Sequence, residues 1–187
     1  MEYKVSYRRV NYPRLEFKTG ELLLILPFGQ DPKSFVEKHR RWIEKKAEFI
    51  RECLNDSSKK KLVKRNHGEF RDLIYSSVEE ISKELGVKIG KVFFRRMKTK
   101  WASCSSRGNL TVNPLLSFLP DYLIEYVIFH EMTHLIEKRH NENFWRIISG
   151  RFEDHNELEK NLLEYWFLIQ RFKSESIWWV EASRFSK

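Results

Sequence analysis

Hydrophobic and polar positions alternate at the start of the chain, where Tyr3, Val5 and Tyr7 are separated by polar residues and Leu15 and Phe17 repeat the pattern. A period of two marks a half-buried strand. The apolar run 22–26 reads as a third strand, with Lys18, Thr19 and Gly20 as the turn before it. The expected arrangement is a small antiparallel meander. Asp31 followed by Pro32 has the form of a helix N-cap and first helical residue. One helix should run from there to about residue 53, offering Phe35, Ile43, Ala47 and Ile50 for burial. The polar stretch 55–65, NDSSKKKLVKR, breaks the pattern and is the best internal boundary.

Beyond it a helix is expected over 69–85, with Gly86 as its stop, then a strand over 91–94. The stretch 98–108, KTKWASCSSRG, reads as a polar loop leading to a strand over 109–113. Pro114 and Pro120 bracket a short connection. The helix opening at Pro120 carries Leu123, Ile124, Val127, Ile128 and Leu135 at helical spacing, so it belongs in the core. Further helices are expected over 142–149 and 156–172, and the aromatic tail 173–187 has no clear assignment. The pattern predicts an α+β fold in a single domain, with strands and a helix in 1–54 and the larger part in 66–172.

Composition narrows the setting. A chain of 187 residues can bury a core without staples. Cys53 and Cys104 form no CxxC pair, which points to a reducing compartment. The N-terminus carries charges where a signal peptide needs an apolar stretch, and no run is long enough to span a bilayer. A soluble cytoplasmic protein is expected, with no membrane partner. The net charge of +9 suits nucleic acid, nucleotides or other acidic partners, or simply solubility.

The stretch HEMTHLIEKRH carries the chemistry. Four residues turn a helix by about 400°, so His130 and His134 share one face. Two imidazoles so placed can grip one ion, and zinc is the usual occupant. Glu131 lies about 100° round, poorly placed as a ligand but able to take a proton from an activated water. Chance alone yields this pattern in about 2% of shuffled chains of this composition. The surrounding helix is apolar, and burying such groups without a partner costs several kcal/mol.

A third ligand is open on the residues alone. His140 on an unbroken helix would point about 240° away from His134. It can ligate only if the helix breaks between about Ile136 and Asn141, and the run 138–143 there is wholly polar. His155 is the rival, and Glu137 and Glu142 are oxygen candidates.

The segment 98–145 closely resembles the YgjP-like metallopeptidase-type domain, a relative of the SprT-like and zincin metalloproteases. Matching positions are Trp101, Ser103, Cys104, Gly108, Asn113, His130, Glu131, His134, His140, Phe144 and Trp145, and the N-terminal strands and helix fit as well. The resemblance implies a zincin-like fold, with a short sheet packed on the HExxH helix. It also implies that His130, His134 and His140 bind zinc and that Glu131 is the general base. A strand lying along the site is implied too; here it would be Asn109, Thr111 and Asn113, pairing with an extended peptide. Ala102 stands where the family has Gly, which is harmless if that Gly only gives room and not if it supplies a positive φ. Cys104 is read as packing, with a soft extra ligand as the other reading.

A zinc-dependent hydrolase, most simply a peptidase acting on peptide or protein, is the leading expectation. Tyr122 and Tyr126 are candidate oxyanion donors. The alternatives are a nucleotide pyrophosphohydrolase, with Arg95, Arg96, Lys98, Lys100 and Arg107 holding phosphates, or a basic metal-binding module associated with nucleic acid. Three histidines suit a hard cation such as Mg²⁺ badly.

Overall fold

Leu22, Leu24, Ile25 and Leu26 are all buried, and a strand so apolar on both faces belongs in the middle of its sheet. β3 (Glu21–Leu26) accordingly lies between β1 (Tyr3–Tyr7) and β2 (Arg14–Lys18). It runs antiparallel to β2 and parallel to β1. The expected meander is therefore corrected to a mixed sheet of order β1-β3-β2. The half-buried first two strands take the edges, and residues 8–13 carry the chain from one edge to the other. The computed structural model describes residues 2–18 and 21–175. Thr19 and Gly20 of the predicted turn, and 176–187 of the aromatic tail, lie outside the described residues.

The predicted first helix is two. α1 (Pro32–Lys38) starts as expected, with the Asp31 carboxylate accepting from the Lys33 and Ser34 amides. α2 (Arg40–Ser57) follows a break at His39, whose backbone leaves the helical region at φ −109° and ψ 12°. The His39 ring explains the break: its Nδ1 lies 2.8 Å from the Phe35 carbonyl, the acceptor that an unbroken helix would reserve for the His39 amide. Phe35, Val36 and Ile43 pack under the sheet against Leu22, Leu24 and Leu26.

Residues 1–59 and 60–187 form two compact units, dividing inside the polar stretch 55–65. In the second unit, α3 (His67–Leu85) opens on a capping box between Asn66 and Glu69 and stops at Gly86 in the left-handed conformation. The second sheet has the order β4-β6-β5, from β4 (Val92–Phe94), β5 (Ala102–Cys104) and β6 (Leu110–Val112). β4 is parallel to β6, and β5 antiparallel. Gly108 makes the β5–β6 turn at φ +74°, where an added Cβ would lie 2.7 Å from the Lys88 carbonyl oxygen. A short 3₁₀ helix, Pro114–Phe118, leads into α4 (Asp121–Thr133).

α4 is the centre of this unit. It touches α3, β5, α5 (Glu142–Arg151) and α6 (His155–Glu175). Eight of its residues from Leu123 to Thr133 are buried, so it is covered on nearly every side. The fold is α+β, as the hydrophobic pattern predicts. No helix among the described residues is long and apolar enough to cross a membrane.

Candidate metal centre

The histidine pair sits where α4 ends. His130 is in the last turn and His134 is the C-cap, at φ −64° and ψ −12°. The break comes earlier than the pattern implies, and the backbone shows why. The Thr133 hydroxyl donates back to the Phe129 carbonyl at 2.8 Å, a bond that loosens helices. Leu135 and Ile136 then bond three residues back, to Met132 and Thr133, and this tighter winding closes the helix. The chain reverses, and Asn141 caps α5 through its side chain.

The reversal brings His140 to the pair. Ligand atoms of His130, His134 and His140 all lie within 4.8 Å of one another. The Nε2 atoms of His130 and His140 are 3.1 Å apart, close to the roughly 3.3 Å between nitrogens around a tetrahedral zinc ion. Phe144 of α5 backs all three rings, with centroids 5.0, 4.7 and 4.6 Å from His130, His134 and His140. Trp145 stacks on both His140 and His155. His155, the rival ligand, lies outside the cluster of three, as do Glu137 and Glu142.

Electrostatics favour the metal-binding form. Burial, with the nearby His134 and His140, lowers the His130 pKa to about 4. Burial also lowers that of His134, against a hydrogen bond to the Glu137 carbonyl that raises it. Both rings are thus neutral at pH 7, the state in which an imidazole offers a lone pair. The Nε2 atoms of His130 and His140, facing one another at 3.1 Å, need a shared proton or a cation between them. Three imidazoles suit zinc far better than a hard cation, so the residues fit the metal.

Glu131 lines the same cleft, which encloses about 590 Å³. Burial raises its pKa to about 7, while the Cys104 amide and the Lys100 charge pull it down and Glu159 pushes it up. Its Oε2 accepts from the Cys104 backbone amide at 3.1 Å. Cys104 lies outside the histidine cluster, and burial beside Glu131 pushes its thiol up to about 11. Ala102 is an ordinary strand residue, buried and paired with Val112, so the position accepts a Cβ.

The expected substrate strand needs correction. β6 is hydrogen-bonded to β4 on one side and β5 on the other, and an extended peptide needs an open edge. Asn109 accepts from the Lys91 amide, and Thr111 faces Phe93 and Ser103 across the sheet. Asn113 is fully buried. Its amide donates to the Met97 and Lys100 carbonyls and its Oδ1 accepts from Leu115. The strand beside the cleft is β5, inside the stretch expected to be a loop; Lys100, Trp101, Ala102, Ser103 and Cys104 line the cleft. Of the five basic residues proposed for phosphates, Lys100 reaches the cleft. Asn113→Ala is expected to cost about 3 kcal/mol of stability through orphaned buried groups, measured by urea denaturation. Loss of turnover at unchanged stability would return Asn113 to the substrate site.

Two further residues of the cleft, Glu159 and Tyr126, lie outside the motif. Glu159 of α6 lies 3.6 Å from His130 Nδ1. Tyr126, a candidate oxyanion donor, instead gives its hydroxyl to Glu159 at 2.6 Å. Tyr122 is exposed.

A model of the family described as YgjP-like, metallopeptidase domain, matches residues 54–165, more than half of the chain. No curated protein matches. Among solved structures, the metallopeptidase zymogen of Pyrococcus abyssi abylysin is 27% identical, with a TM-score of 0.45 and coverage of 48% of this chain and 91% of that one. The metallopeptidase zymogen of Methanocaldococcus jannaschii jannalysin is 26% identical, with a TM-score of 0.45 and coverage of 49% and 94%.

Proposed function

The chain belongs to the YgjP-like metallopeptidase family and is a metal-dependent hydrolase, and from that premise we propose that it is a zinc peptidase in which His130, His134 and His140 hold the ion and Glu131 is the general base. Zinc held by these nitrogens supplies Lewis acidity toward a peptide carbonyl and acidifies a water. Glu131 takes a proton from the attacking water and passes it to the leaving amine. The Cys104 amide holds the Glu131 carboxylate in place. Its half-buried pocket keeps the carboxylate basic enough for the task.

One observation carries the peptide reading: among the described residues β5 pairs on one side alone, with β6, and it lines the cleft of the histidines. The amide of Cys104 points to Glu131 and not to β6, so the open edge of β5 faces the reacting groups. An extended peptide added to that edge would lie with its backbone along Glu131. Cys53 and Cys104 are both free thiols, which suits the reducing cytoplasm.

The test uses unfolded casein as substrate. Zinc-loaded protein is expected to cleave it, chelation to stop cleavage, and added zinc to restore it, read by mass spectrometry of the fragments. Hydrolysis of nucleoside triphosphates without any peptide-bond cleavage would overturn the peptidase reading.

A further inference from the structure

The two ring nitrogens of His130 have different neighbours. Nε2 faces Nε2 of His140, inside the cluster of three. Nδ1 is buried without a hydrogen-bond partner among the described residues, and the Glu159 carboxylate faces it at 3.6 Å. That carboxylate oxygen is itself held by the Tyr126 hydroxyl. Tyr126 lies one turn before His130 on α4, fully buried, with its ring edge-on to the imidazole. Its hydroxyl is therefore fixed by the core, and it fixes Glu159 in turn.

A neutral imidazole carries one proton, and the nitrogen that holds it has no lone pair to give. For His134 the backbone decides: Nδ1 lies 3.1 Å from the Glu137 carbonyl, which leaves Nε2 free. His130 has no such carbonyl bond. We propose that Glu159, anchored by Tyr126, is the positioning residue that keeps the His130 proton on Nδ1 and so presents Nε2 to the metal. A carboxylate behind a ligating histidine orients the ring and raises its basicity. Glu159 is not a ligand of the same ion, because it faces the nitrogen turned away from the cluster. The proposal rests on the ligand assignment above and adds a side chain 29 positions further along the chain.

The test has two readouts at one fixed pH. Long-range ¹H–¹⁵N spectra of the metal-free protein report which His130 nitrogen is protonated. Competition against a chromophoric chelator reports the zinc affinity. Wild type should show His130 protonated at Nδ1. Glu159→Ala should move the proton toward Nε2 and weaken zinc by about 10–100-fold. Glu159→Gln keeps an acceptor oxygen in place and should restore most of both, and Tyr126→Phe should fall between them. The side chain of Glu159 is 45% exposed, so thermal midpoints should move little. An unchanged tautomer in Glu159→Ala overturns the proposal, whether or not zinc weakens. Failure of His130→Ala to weaken zinc would overturn the ligand assignment instead, while the metal-free spectra still decide the role of Glu159.

Discussion

Glu131→Gln should retain its zinc and its fold and lose about 10²–10⁴-fold in turnover. On the proposed roles the substitution removes the base and leaves untouched the three nitrogens that converge, which belong to His130, His134 and His140. The local structure should survive because the bond from the Cys104 amide can be accepted equally well by an amide oxygen. What is lost is a carboxylate whose pKa burial has raised to about 7, strong enough to accept a proton near neutrality and weak enough to release it. Turnover, KM and bound zinc measured together separate the roles. A lost kcat with unchanged KM and metal content identifies the proton carrier. Full activity in Glu131→Gln would falsify the mechanism, and loss of zinc would make Glu131 a ligand.

Much of this site is legible in the chain because its key spacing is local. His130 and His134 are one helical turn apart, and the polar run before Phe144 announces a reversal that lets His140 return. The helix nevertheless ends at Thr133, because a hydroxyl-to-carbonyl bond and a tightened last turn stop it before the polarity changes. β5 was hidden for another reason. Ala102, Ser103 and Cys104 are small and only three residues long, too short a run to mark a strand, and the strand exists through pairing with β6. The same pairing makes β6 central and closes the edge at Asn109, Thr111 and Asn113. The parallel pairing of β1 with β3 likewise follows from the burial of Leu22, Leu24 and Leu26 on a strand flanked by weaker ones. Glu159 is the hardest residue to read. It sits among Glu157 and Lys160 on what looks like a solvated helix face, and tertiary packing alone sets it behind His130.

The choice of the third ligand leads to the remaining large effect. His140→Ala should lose zinc by more than the roughly 10–100-fold that an outer partner costs, and His130→Ala and His134→Ala should do the same. His155→Ala should keep one ion per chain. The difference follows from the turn after α4. His140 is delivered to within 3.1 Å of His130, whereas His155 stacks on Trp145, which itself stacks on His140. Removing His155 therefore takes away a support of the Trp145 ring and no donor, and a modest loss of stability is its expected cost. Elemental analysis of the four purified variants, with circular dichroism to confirm folding, separates these cases. Zinc kept by His140→Ala and lost by His155→Ala would require the stack of His155 on Trp145 to open. It would move the third ligand from the reversal before α5 to the start of α6.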